Sequence, residues 1–132
     1  MKSYKDLKVY KESKRLALEV HKISLSLPKF ELYEEGSQTR RSSKAVTSAI
    51  VEGYGRRRYK VDFIRFLIFS QSECDETILH LDFLFEPDSF KDSAKYNQIR
   101  EGYEALSKRI NKFIQWVENN LNDFNKPETS NK

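Results

Sequence analysis

Residues 96–117 read YNQIREGYEALSKRINKFIQWV and contain the clearest periodic pattern in this 132-residue chain. The apolar positions alternate between spacings of three and four residues: Tyr96, Ile99, Tyr103, Leu106, Ile110, Phe113 and Val117. Because an α-helix makes one turn in 3.6 residues, this spacing places all of them on one face. The segment therefore predicts a long amphipathic helix that must bury its apolar stripe against other elements.

Two further segments repeat this rhythm. The first predicts a helix over residues 6–26 that Pro28 terminates, with an apolar face formed by Val9, Ser13, Leu16, Val20, Ile23 and Leu27. The second predicts a helix over residues 63–85 that Pro87 terminates. Asp88 or Ser89 is then expected to cap the helix that follows.

A fourth helix is predicted over residues 34–53, where the inward positions are mostly small: Ser42, Ala45, Val46, Ala49, Ile50 and Gly53. Small side chains allow two helix backbones to approach closely. We expect this helix to end at Gly53 and Gly55 in the left-handed conformation that glycine tolerates.

Four amphipathic helices joined by short connections predict an all-α fold, an up-down antiparallel four-helix bundle. The length suits one domain, which we place at residues 1–125. Residues 126–132, KPETSNK, are polar and aperiodic, and we expect a disordered tail there.

Composition excludes several classes of protein. No apolar run approaches the length of a membrane span, and the first residues lack the apolar core of a secretory signal. We therefore expect a cytoplasmic protein without membrane contact. Cys74 is the only cysteine, so neither an internal disulfide nor a thiolate-rich metal site is expected, and a core position is predicted for it.

Residues 52–60, EGYGRRRYK, raise the question of a phosphate-binding loop. A P-loop precedes a helix and ends in Gly-Lys-Ser/Thr, whereas these glycines follow a predicted helix, so we interpret them as turn residues. Residues 36–60 nevertheless hold seven basic residues against the single acid Glu52, although the whole chain carries only +4. This asymmetry favours a phosphate-binding surface, and tyrosines between arginines could stack on unpaired bases. The candidate nucleic-acid-binding residues are Arg40, Arg41, Lys44, Tyr54, Arg56, Arg57, Arg58, Tyr59 and Lys60.

An ordered set of short motifs resembles the four-helix-bundle proteins of the 23S rRNA intervening-sequence, or S23, family. The motifs are Asp6-Leu7-Lys8-Val9-Tyr10, Leu27-Pro28, Glu31, Tyr33, Gln38-x-Arg40-Arg41, Ile50-x-Glu52-Gly53-x-Gly55-Arg56, Asp62-Phe63-Ile64 and Glu73-x-x-Glu76-Thr77. The resemblance implies a helical bundle whose relatives form a five-fold ring. One relative, in diversity-generating retroelements, acts as a nucleic-acid-binding accessory to a reverse transcriptase.

The carboxylates in these motifs invite a catalytic interpretation, which the spacing does not favour. A di-metal bundle needs Glu-x-x-His pairs, whereas Glu76 and His80 are four residues apart. We therefore expect no metal, no cofactor and no catalytic residue. Glu52, Glu73 and Glu76 are predicted to be structural, accepting hydrogen bonds from Arg40, Arg41 or tyrosine hydroxyls and so aligning neighbouring helices.

The helices predicted over residues 63–85 and 96–117 carry apolar residues beyond their main stripes. One bundle cannot bury both sides, so these residues predict an oligomer interface. They are Ile64, Ile68, Phe69, Leu79, Phe83, Ile114 and Trp116. By resemblance the expected assembly is a homopentamer.

The sequence leaves two functions open. One is a non-catalytic RNA-binding accessory protein that acts through the basic segment. The other is an oligomeric scaffold that binds a partner protein, such as a reverse transcriptase, with the arginines serving subunit contacts.

Overall fold

The computed structural model describes residues 3–125, with side-chain detail over residues 3–120. A 3-10 turn at Tyr4–Asp6 is followed by five helices: α1 (Lys8–Ser24), α2 (Lys29–Tyr33), α3 (Glu35–Gly55), α4 (Lys60–Phe85) and α5 (Ser93–Asn125). The four long helices form the predicted up-down antiparallel bundle, with α1 and α4 each packed against both α3 and α5. The proposed tail at residues 126–132 lies outside the described residues.

The predicted stripes become the core. On α5, Ile99, Tyr103, Leu106, Ile110 and Val117 are buried, and α1 buries Val9, Leu16, Val20 and Ile23 in the same way. The helix α1 ends at Ser24, two residues before its predicted end, and Pro28 precedes the short helix α2, which the sequence pattern did not indicate. Within the described residues, no helix is long and apolar enough to cross a membrane.

Small residues on α3 bring it close to α4. Ser70 Oγ on α4 donates to the Val46 carbonyl on α3 at 2.8 Å, and Thr77 Oγ1 donates to Ser42 Oγ at 2.9 Å. Such hydrogen bonds require nearly touching backbones, because the side chains involved are short. Cys74 is fully buried on α4, and burial raises the pKa of its thiol to about 12. Its predicted core position is confirmed.

The glycines at the end of α3 behave only partly as predicted. The helix ends at Gly55 as expected, but no glycine in the described residues has the positive φ that was predicted for a left-handed helix end. A Cβ on Gly53 would lie 3.1 Å from Phe66 Cβ and 3.3 Å from the Phe63 carbonyl oxygen, whereas a Cβ on Gly55 would meet nothing within 4 Å. Gly53 is therefore a packing residue inside the helix rather than a helix terminator.

The connection from α4 to α5 also differs from expectation. Asp88 adopts the left-handed conformation, with φ of 65°, instead of capping a helix. Ser89 Oγ donates to Glu31 Oε2 at 2.6 Å. The residue that caps α5 is Asp92, whose carboxylate accepts the Lys95 N–H at 3.0 Å.

Candidate nucleic-acid interface

The most exposed part of the basic segment lies in the connection between α3 and α4, residues 56–60, called here the basic turn. Its backbone is closed by hydrogen bonds from the Arg56 N–H to the Gly53 carbonyl at 3.0 Å and from the Tyr59 N–H to the Arg56 carbonyl at 2.8 Å. These bonds reverse the chain within a few residues. The basic turn is therefore an ordered element that presents three consecutive arginines at one end of the bundle.

Aromatic rings support two of these arginines. The Arg56 guanidinium lies 4.8 Å from the centre of the Phe66 ring, and the Arg57 guanidinium lies 4.1 Å from the centre of the Tyr54 ring. Arg57 also donates from Nη1 to the Tyr54 carbonyl at 3.0 Å. A guanidinium stacked on a ring keeps its edge donors available, because the ring occupies only the face.

The other residues of the basic turn face solvent. Arg58 and Lys60 are exposed, and the Tyr59 side chain is 62% exposed. Lys60 Nζ donates to the Glu118 carbonyl at 2.7 Å, which ties the start of α4 to the last part of α5. The basic turn thus combines cations with one accessible aromatic ring.

Tyr54 does not belong to this surface. Only 6% of it is exposed, and it packs in the core cluster. The prediction that Tyr54 stacks on a base is wrong, because its ring is covered by the bundle and by Arg57. Proximity to arginines could not separate it from Tyr59, although Tyr54 follows Ile50 by four residues and so continues the stripe of Val46 and Ile50.

The three remaining basic candidates lie further along α3. At 1.5 Å per residue, Arg41 is about 22 Å from Arg56 along the helix. Arg41 and Lys44 are exposed, with Lys44 Nζ 3.4 Å from His21 Nδ1. Arg40 instead donates to Ser24 Oγ at 3.0 Å and to the Leu32 carbonyl at 2.9 Å, so it holds the α1–α2–α3 junction. The nine candidates therefore do not form one site.

Two of the three predicted structural carboxylates do not align the helices. Glu52 and Glu76 are exposed, and Arg40 donates elsewhere. Glu73 is half-buried, and desolvation together with the nearby Glu76 raises the pKa of its carboxyl. The prediction for Glu52 and Glu76 is therefore wrong, because charged groups that face water cannot specify helix register.

Other acidic residues make the inter-helix contacts. Asp82 accepts a hydrogen bond from the Tyr96 hydroxyl at 2.6 Å, and Glu19 accepts one from Lys95 Nζ at 2.7 Å. His80 Nδ1 pairs with Glu35 Oε1 rather than forming a pair with Glu76. These pairs join residues distant in sequence, so no local pattern indicated them. Within the described residues, no cluster of three or more His, Cys, Asp or Glu side chains could hold a metal ion.

The candidate interface residues divide into two groups. Ile114 is buried in the core, so the prediction for Ile114 is wrong, whereas Ile64 is partly buried and packs against the core cluster. Trp116 is partly exposed, and four residues of α4 are about half exposed. We call these four the α4 face: Ile68, Phe69, Leu79 and Phe83.

Comparison with known proteins is consistent with the fold. The family model described as 23S rRNA-intervening sequence protein matches residues 5–112. A comparison with curated proteins gave no match. The fold is similar to a crystal structure, at 1.70 Å resolution, of a protein with unknown function from the S23 ribosomal protein family of Bacteroides thetaiotaomicron VPI-5482. The TM-score is 0.70 at 20% identity, covering 81% of this chain and 98% of that chain, a likeness of fold alone.

Proposed function

This chain belongs to the 23S rRNA-intervening sequence protein family, and from that premise we propose that it is a non-catalytic RNA-binding accessory protein that contacts RNA through the basic turn. The observation that carries the proposal is that Arg56, Arg58 and Lys60 are all exposed in the same short turn as the exposed ring of Tyr59. Phosphates attract the cations, and an unpaired base has a π-face that can stack on the ring.

The supported arginines strengthen this proposal. Arg56 is held over Phe66 and Arg57 over Tyr54, so part of their side-chain entropy is already lost before RNA arrives. Their fork of N–H donors matches the oxygens of a phosphate. The turn offers no set of side chains arranged against base edges, so we expect affinity with little sequence preference.

The test is the salt dependence of binding, measured by fluorescence anisotropy with a labelled single-stranded RNA. Replacing Arg56, Arg58 and Lys60 together with Gln removes three charges and leaves Arg57 on Tyr54. If each cation neutralises one phosphate, the slope of log affinity against log salt should decrease by about 2, at roughly 0.7 per phosphate.

A matched control removes the same charge elsewhere. Lys22, Lys29 and Lys91 are exposed and lie toward the opposite end of the bundle. Replacing these three with Gln should leave the slope nearly unchanged. An equal decrease in both variants would mean that net charge, not the basic turn, drives binding, and an unchanged slope in the turn variant would place the site elsewhere.

A second function is favoured by a different surface. Four apolar side chains on one side of α4 are about half exposed, and exposed apolar side chains that share one side of a helix commonly mark a protein interface. The alternative proposal is a homo-oligomeric scaffold that binds a partner protein and has no role in nucleic-acid binding. Wild-type protein that assembles but shows no salt-dependent RNA affinity would favour this alternative.

A further inference from the structure

A groove between the start of α1 and α5 lies at the same end of the bundle as the basic turn. It has a volume of about 460 Å³ and is lined by the cations Lys8, Arg109 and Lys112. The apolar part of its lining is formed by Phe113, which is partly exposed, with the buried residues Leu7 and Val9 behind it. Nothing in the sequence pattern indicates this groove, because its two walls are about 100 positions apart.

The charges around the groove are unbalanced. Lys8, Arg109 and Lys112 are all exposed, and the lining contains one acid, Asp6, which is used within the protein because it accepts the Ser3 N–H at 3.2 Å. Glu12 stands beside Arg109 at 3.7 Å, but its carboxylate also pairs with Arg15 at 2.6 Å. The groove is therefore a concave surface with cations above an apolar lining.

The groove is close to the basic turn. Phe113 in its lining contacts Phe63 at 5.8 Å between ring centres, and the Phe63 N–H bonds to the Tyr59 carbonyl at 2.9 Å. Lys60 Nζ reaches Glu118 of α5, six residues after Lys112, which is about 9 Å along the helix. A strand bound at the turn can therefore continue over α5 toward the groove.

We propose that this groove binds an unpaired nucleotide of a single-stranded RNA, with the base against the apolar lining and the adjoining phosphates on Lys8, Arg109 and Lys112. This inference rests on the RNA-binding part of the proposed function, and it adds a second contact site for the same strand. A single strand fits because its bases are free to enter an apolar groove, whereas duplex bases are stacked and paired inside the helix. A peptide made only of acidic residues satisfies the cations but supplies no flat ring for the apolar lining.

The experiment uses the full chain, a labelled uridine-rich single strand and a blunt RNA duplex of equal length. Replacing Lys8, Arg109 and Lys112 with Gln should reduce the salt slope for the single strand by about 0.7 for each phosphate that is no longer neutralised. The preference of wild-type protein for the single strand over the duplex should largely disappear. Melting curves should be unchanged, because all three side chains are exposed.

Crosslinking tests directly whether RNA enters the groove, and competition with polyglutamate tests whether charge alone accounts for binding. A strand containing 4-thiouridine should crosslink to peptides from α1 and α5 in wild-type protein, and this product should be absent from the groove variant but kept in the Lys22, Lys29 and Lys91 control.

The groove proposal is overturned, with the basic turn intact as the RNA site, if only the turn variant binds RNA more weakly. Weaker binding only in the groove variant overturns the turn as the site and keeps the groove. Absence of wild-type RNA binding, or equal competition by polyglutamate and single-stranded RNA, overturns the groove proposal.

Discussion

Gly53 shows how one missing side chain sets the distance between two helices. Its neighbours are Phe63 and Phe66 of α4, and an added Cβ would approach both more closely than ordinary van der Waals contact allows. We predict that Gly53→Val lowers the free energy of unfolding by more than about 1 kcal/mol, because overpacking forces α3 and α4 apart. Gly55→Ala is the matched control and should be neutral or slightly stabilising, since its site is open and helical. Equal melting temperatures for Gly53→Val and wild type would contradict this packing role.

The ionisation of Glu73 should make the stability of the fold depend on pH. Desolvation and Glu76 raise its pKa above the ordinary 4.5, so between these two pKa values the folded chain holds more protons than the unfolded chain. The free energy of unfolding therefore falls as pH rises through that window. Glu73→Gln should melt at a higher temperature than wild type at about pH 7.5, and the difference should disappear at about pH 3.5, where the unfolded carboxyl is also protonated.

Thermal melts followed by circular dichroism at the two pH values measure this effect. Glu52→Gln is a suitable control, because that carboxylate is exposed on α3 and is expected to change the melting temperature little. A stabilisation by Glu73→Gln that is the same at both pH values would show that the effect does not come from the charge.

At the scale of elements, Arg40 joins three helices. It donates to Ser24 at the end of α1 and to the Leu32 carbonyl in α2, while its own backbone belongs to α3. We predict that Arg40→Gln destabilises the fold by about 2 kcal/mol, because a half-buried carbonyl loses a charged donor. Arg41→Gln is the control and should leave stability unchanged, since Arg41 is exposed. Chemical denaturation measures the stability of both variants. Equal stability would show that Arg40 does not stabilise the junction of α1, α2 and α3.

At the scale of the whole molecule, the α4 face is exposed to solvent, and we expect the proposed homo-oligomer to form through this face. Light scattering should give wild-type protein a mass several times that of one chain. Phe69→Glu and Phe83→Glu should reduce this mass, because a carboxylate would be desolvated at the interface without a partner. Leu25→Glu adds the same charge at an exposed residue after α1 and should not affect the mass. A monomeric wild type, or a Leu25→Glu variant that dissociates equally, would contradict a specific interface through α4.

The sequence by itself determined the helical architecture. Periodic apolar residues specify helices locally, and a chain with four such stripes buries them by packing the helices together. The bundle, and most of the core residues between Val9 and Val117, were therefore predictable from the sequence. Pro28 and Pro87 each follow closely after the end of a long helix, α1 and α4 respectively. Such boundaries are visible in the sequence because proline lacks a backbone N–H and so disrupts a helix within one turn.

Only the tertiary structure decided which side chains in each pattern remain accessible. Tyr54 and Tyr59 both lie within two residues of an arginine, yet the folded bundle buries the first and leaves the second in solvent. Arg40 and Arg41 are adjacent, but only Arg40 reaches two other helices. The groove between α1 and α5 likewise exists only after folding joins distant segments. The physical reason is that helical periodicity is a local property, whereas exposure and long-range pairing depend on how far and at what angle each helix approaches its neighbours.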